Sequence, residues 1–144
     1  MFEAIKEAKK AYLQNEVPIG CVIVKNGKVI SRAYNKREKL KNSTAHAEIL
    51  AIQKACKKLG DWRLTDCDLY VTVEPCPMCA GACFNSRLRK IVYGCNDYKG
   101  GSFGGVANID MTNLNVLNHK LIVEKSPYAD ECKNLLTKFF NERR

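Results

Sequence analysis

Two short segments carry residues whose types and spacing allow chemistry. Thr44-Ala45-His46-Ala47-Glu48 sets an imidazole two residues before a carboxylate, and Pro75-Cys76-Pro77-Met78-Cys79 sets two thiols three residues apart. Side chains three apart on a helical turn face the same way. A helix start also lowers a thiol's pKa toward the thiolate, the form that binds metal. Two thiolates and one imidazole suit Zn²⁺, with Zn–S near ~2.3 Å and Zn–N near ~2.0 Å. His46, Cys76 and Cys79 are the expected ligands. Three protein ligands leave a fourth position for water, as in a catalytic rather than a structural site. Zinc brings the pKa of such a water to about 7. Glu48 does not share a helix side with His46, but both can approach an ion lying off the helix end. A carboxylate there can take a proton and deliver it elsewhere.

Other readings of the same residues exist. Cys83 lies four residues after Cys79 on the same helical face. It sits about 10 Å along the helix from Cys76 at ~1.5 Å per residue, so core filling is its expected role. A Cys-x-x-Cys after a strand can be a redox dithiol. A four-cysteine structural zinc site needs a second close pair, and Cys67 and Cys95 are isolated. A first-turn Glu48 can merely favour the helix dipole.

The elements that must position these residues follow from periodicity. Phe2, Ile5, Ala8, Tyr12 and Leu13 repeat at helical spacing, predicting a helix that ends near Asn15. Ile19 to Val24 and Val29 to Tyr34 read as strands joined by the Asn26-Gly27 turn, an antiparallel hairpin. Asn35 to Thr44 is a polar loop. Thr44 is the expected cap of a helix from about Ala45 to Leu59, with Ile49, Ile52, Cys56 and Leu59 on its core face. Leu69 to Val73 is a strand, and a short helix follows from about Cys76 to Ser86 with Pro77 in its first turn. Ile91 to Tyr93 is a strand ended by Gly94, and Asn96 to Asn108 is a glycine-rich loop. Leu121 to Val123 is a last strand. Cys132, Leu135, Leu136, Phe139 and Phe140 mark a terminal amphipathic helix. Strands separated by single helices favour parallel neighbours, and the hairpin supplies an antiparallel pair. The expected architecture is α/β, a mixed five-stranded sheet with helices on both faces.

A chain of 144 residues is one domain by length, 1–144. It is 46% hydrophobic and 27% charged, the balance of an ordinary globular protein. Apolar runs of membrane-spanning length and an export signal are both missing, so the expected location is the cytoplasm. In that setting the eight cysteines do not imply a disulfide scaffold. Cys21, Cys56, Cys67 and Cys132 are expected as small buried hydrophobes. The formal net charge of +9 favours a polyanionic partner such as RNA or DNA.

His46-Ala47-Glu48 followed by Pro75-Cys76-Pro77-Met78-Cys79 matches the His-x-Glu and Pro-Cys-x-x-Cys signature of zinc nucleobase deaminases. More narrowly, the chain resembles the bacterial tRNA-specific adenosine deaminases of the cytidine/deoxycytidylate deaminase superfamily. Glu16 to Gly20, Leu69 to Cys76, Cys79 to Ala82, Asn118-His119 and Phe139-Phe140 carry the likeness along nearly the whole chain. The resemblance implies a cytidine deaminase-like three-layer sandwich, one Zn²⁺ per subunit and a homodimer. It implies conversion of adenosine to inosine at the wobble position of a tRNA anticodon loop, with Glu48 shuttling protons. It also implies that Val17, Pro18 and Ile19 line the base pocket and that Asn35 bonds the flipped base or its ribose. Asp97 and Lys99 would meet sugar and backbone, and Asn118, His119 and Lys120 would form a second RNA-facing patch. Phe139 or Phe140 would stack on a loop base, and Arg143 would meet phosphate. The chain departs from the family at Pro77, Phe84-Asn85 and Ser102-Phe103, and its first helix starts almost at Met1. Pro77 is shared with guanine deaminases, so a deaminase of free guanine or cytosine derivatives is the alternative. A zinc-stabilised RNA-binding module without catalysis is a further one, and Glu48 separates it from the enzymes.

Overall fold

The computed structural model describes residues 1–103 and 119–143. Its elements are α1 (Phe2–Leu13), β1 (Gly20–Lys25), β2 (Lys28–Tyr34), α2 (Ala47–Leu59), β3 (Cys67–Val73), α3 (Pro77–Asn85), β4 (Lys90–Cys95), β5 (Ile122–Lys125) and α4 (Ala129–Asn141). The strands form one sheet in the order β2-β1-β3-β4-β5. The expected mixed five-stranded sheet is present. It holds two antiparallel pairs, because β1 lies between its hairpin partner β2 and the later strand β3, antiparallel to both. The β3–β4 and β4–β5 pairs are parallel. In the hairpin, Asn26 and Gly27 both have positive φ, 51° and 74°. That is the backbone of a type I′ turn, whose twist matches the flanking strands.

Helices cover both faces. α1 and α4 pack on one side, α2 and α3 on the other. Cys21, Ile23, Leu69, Val71 and Ile91 form the centre of the main core with Ala47, Ala51 and Ala55 of α2. The core face of α2 differs from the expected one. Three alanines at four-residue spacing bring the helix close to the sheet. Glu48 and Ile52 are buried beside them, while Ile49, Cys56 and Leu59 are only partly buried. β4 continues through Gly94 to Cys95, where Cys132 of α4 packs against it. Cys21, Cys67 and Cys132 are buried, as is Cys83. No helix among the described residues is long and apolar enough to cross a membrane.

The pairing register determines where the site can form. Gly20 opposes Tyr34 and Cys21 opposes Val71, while Val73 lies beside Cys95. The start of β1 and the ends of β2, β3 and β4 therefore share one edge of the sheet. The segments Val17–Ile19, Asn35, Glu74–Cys79 and Asn96–Lys99 all issue from that edge. It is the carboxyl end of the parallel strands, the usual place for a ligand in an α/β sheet.

Candidate active site

The two chemistry-bearing segments meet at two helix starts. Cys76 is the N-cap of α3 with Pro77 following at the first helical position, and His46 is the N-cap of α2. Helix α2 thus begins two residues later than expected. Thr44 does not cap it; the Thr44 hydroxyl instead bonds Asn42 Oδ1 at 2.8 Å. As an extended residue (ψ 152°), His46 swings its ring off the helix end. This resolves the two-residue spacing: Glu48 points from the first turn, His46 from outside it.

His46 Nδ1 lies 3.8 Å from Cys76 Sγ and 3.5 Å from Cys79 Sγ. The three ligand atoms all lie within 4.8 Å of one another, and among the described residues this is the group whose donors could hold a metal. A tetrahedral zinc with the usual bond lengths has ligand–ligand edges of about 3.6 Å. The donor set and its spacing fit that ion. Cys83 is outside the group, fully buried in the main core with its thiol pushed far up by burial.

Electrostatics match the geometry. Cys76 is lowered to about 4, first by the hydrogen bond from the Cys79 thiol and then by His46. Cys79 is raised by the same bond. The hydrogen bond to Cys76 raises His46. Glu48 is 4% exposed, and burial lifts its carboxyl to about 7. Glu48 Oε2 is one of two buried side-chain oxygens among the described residues without a hydrogen-bond partner. A buried carboxylate with one oxygen unpaired beside three metal-type donors is an arrangement that burial alone disfavours and that proton transfer near neutrality uses.

The MafB19-like deaminase family model matches residues 1–144. A tRNA-specific adenosine deaminase of Bacillus subtilis (strain 168) is 51% identical over 144 residues, which cover 100% of this chain and 88% of that protein. Another, from Aquifex aeolicus (strain VF5), is 45% identical over 98% of this chain and 91% of its own. The chain belongs to the tRNA-specific adenosine deaminase family. A solved structure from a study of A-to-I editing by tRNA:A34 deaminases is similar with a TM-score of 0.89 and 40% identity. That similarity covers 94% of this chain and 96% of the other. A guanine deaminase structure from Bacillus subtilis is also 40% identical but covers less, 66% of this chain and 61% of that one, with a TM-score of 0.63. This deaminase is therefore an enzyme with the cytidine deaminase-like fold.

Around the deaminase centre, a cleft of about 140 Å³ is lined by Val17, Ile19, Asn35, Arg37 and His46. Asn35 is buried; its Nδ2 donates to the Val17 carbonyl and its Oδ1 accepts from the Arg37 N–H, both at 3.3 Å. Pro18 does not line the cleft. It sits at the apex of a tight turn closed by Ile19 N–H to Val17 C=O at 2.8 Å, so its ring is turned inward and fully buried. A wider cleft of about 600 Å³ shares Val17 and Ile19 and adds Asp97, Lys99, Phe140 and Arg143. Asp97 Oδ1 accepts from the backbone N–H groups of Lys99 and Gly100, closing its own turn.

Two expected RNA contacts, Phe139 and His119, lie outside these clefts, while Arg143 lines the wide one. Phe139 is 4% exposed, and the Arg143 guanidinium lies 3.5 Å from its ring centroid; its neighbour Phe140, 47% exposed, faces the cleft. Arg143 lines the wide cleft and is anchored within the chain, donating to the Phe139 carbonyl and to Asn15 Oδ1. His119 bonds the Leu88 carbonyl below the start of β4, at the opposite edge of the sheet from Asp97. With β4 spanning six residues, that is a separation of about 20 Å at ~3.3 Å per residue. Lys120 flanks His119 there, and Asn118 lies outside the described residues.

Two buried carboxylates that sequence reasoning passed over support the site. Glu16 accepts from the N–H groups of Glu38 and Lys39, fixing the loop that carries Arg37. Glu74 accepts from Asn96 Nδ2 at 3.1 Å, Asp97 N–H at 3.0 Å and Phe103 N–H at 2.9 Å. A Cβ at Gly101 would overlap the Glu74 carboxylate and push it off its donors. Ser102 N–H also donates to the Pro75 carbonyl. The signal in the sequence was a charged residue ending an apolar strand directly before Pro75-Cys76.

Proposed function

We propose that this chain is a single-domain (1–144), zinc-dependent tRNA deaminase that converts adenosine to inosine at the wobble position of an anticodon loop. The observation that carries the reading is Glu48: a buried carboxylate, lifted by burial to about 7 and with Oε2 unpartnered, beside the His46–Cys76–Cys79 donor group. His46, Cys76 and Cys79 would hold one Zn²⁺ per subunit. Bound there, zinc supplies Lewis acidity, the chemistry that yields a hydrolytic nucleophile from water near neutral pH. Glu48 holds and moves the proton. It takes one proton from water during attack on the ring carbon that bears the amino group and delivers it to the ring nitrogen; it then takes the second from the new hydroxyl and delivers it to the departing amino group, which leaves as ammonia. The new C–O bond replaces the broken C–N bond, so water is consumed and ammonia released. Val17, Ile19 and Asn35 would hold the extruded base, and Asp97, Lys99 and Phe140 the neighbouring nucleotides.

The full-length relatives support RNA as substrate, and the eight free thiols suit the reducing cytoplasm. We further propose a homodimer, to be checked by light scattering. The partial likeness to guanine deaminase names the competing substrate. The zinc-loaded protein is incubated with an anticodon stem-loop carrying a wobble adenosine, and in parallel with guanine, cytosine and free nucleosides. Inosine in the first and no product in the second is expected. Product from free bases with an untouched stem-loop would overturn the proposal.

A further inference from the structure

The wide cleft does not end at Asp97. Asn96, Tyr98 and Leu136 also line a cleft of about 270 Å³ between the end of β5 and α4, where Lys125 and Lys133 stand. The three clefts therefore run on from one another, from His46 past Val17 and Ile19, along Lys99 and Phe140, to Lys125 and Lys133. Tyr98 sits at the junction of the second and third and is 62% exposed. Lys125 is held in place: its Nζ donates to Asn96 Oδ1 at 2.7 Å. The Asn96 amide is fixed in turn by Nδ2 donating to Glu74 Oε2 and, at 3.4 Å, to the Tyr93 hydroxyl. Asn96 is neutral, so it orients the ammonium without cancelling its charge. Neither Lys125 nor Lys133 forms an ion pair among the described residues; Lys90–Glu124 and Lys138–Glu142 pair nearby. Among the described residues, Asp130 is the one carboxylate lining the cleft.

We propose that this β5–α4 cleft seats the sugar–phosphate backbone of single-stranded RNA flanking the target nucleotide. Lys125 and Lys133 meet phosphate, and Tyr98 stacks on a base on the way. The inference rests on the RNA reading above and extends its footprint beyond the residues that touch the reacting nucleotide. An exposed aromatic between clefts lined by cations is the usual construction of a single-strand track. A small free base would have no use for it.

The test is binding and turnover of the anticodon stem-loop by the zinc-loaded full chain, compared with Lys125→Glu/Lys133→Glu and Tyr98→Ala. Both changes are on exposed side chains, and thermal melting checks that the fold is kept. The double variant is expected to raise Kd and KM about tenfold or more with kcat within about twofold. It should also flatten the dependence of log K on log salt by about 0.7 for each phosphate that the protein no longer neutralises. Tyr98→Ala is expected to weaken binding about fivefold or more. Unchanged Kd and salt slope in the double variant would overturn the proposal. Wild-type protein that binds the stem-loop but makes no inosine would defeat the proposed function and leave this surface intact, because binding is read separately.

Discussion

At Glu48 the chain keeps a carboxylate out of water with Oε2 unbonded, a cost of order 1–3 kcal/mol for an unsatisfied buried acceptor. The proposed proton transfer is a reason to keep it. Glu48→Ala is expected to retain zinc, measured by atomic absorption, while kcat for inosine formation falls by about 10²–10⁴; turnover near wild type would remove Glu48 from the reaction. The ligands behave differently. His46→Ala, Cys76→Ala or a strong chelator should take zinc and activity together and lower the melting temperature, since metal binding and folding are linked. A chelated protein that keeps full activity would exclude a metal role for the three residues.

Helix α4 divides its two phenylalanines between different tasks. Phe139 packs edge-on to Tyr12 of α1 with Arg143 over its other side, whereas Phe140 looks into the cleft. Phe139→Ala is therefore expected to cost about 3–5 kcal/mol of stability in denaturant unfolding. Phe140→Ala should leave stability nearly unchanged and raise KM for RNA; the opposite pattern would invert the assignment. Just after β3, Glu74 binds three donors of the loop after β4 with two oxygens. Glu74→Gln leaves one oxygen and turns an amide toward an N–H, most directly opposite Phe103. The expected outcome is a loss of about 1–3 kcal/mol with a higher KM for RNA and undiminished zinc content. A wild-type KM would show that the loop holds its shape without the carboxylate.

Taken as a whole, the molecule carries +9 net charge and gathers four segments at one sheet edge. How much of this was legible in the sequence depended on whether the physics involved was local. His46, Glu48, Cys76 and Cys79 could be picked out because helix starts and short spacings are properties of a few neighbouring residues. The same holds for the Asn26-Gly27 turn, the order of the elements, and Cys83 as core. What the chain does at longer range was decided only by tertiary packing. The placement of β1 between β2 and β3, the alanine face of α2 and the inward turn of Pro18 depend on which surfaces meet. So do the division of work between Phe139 and Phe140, the removal of His119 to the far edge of the sheet, and the use of Arg143 as an internal tie. A hydrophobic residue at helical spacing can as well face a core as a cleft, and a buried carboxylate such as Glu74 finds its donors 22 to 29 residues away. Sequence spacing encodes which atoms can act together on one turn of backbone; only the folded sheet decides which distant turns are brought within reach.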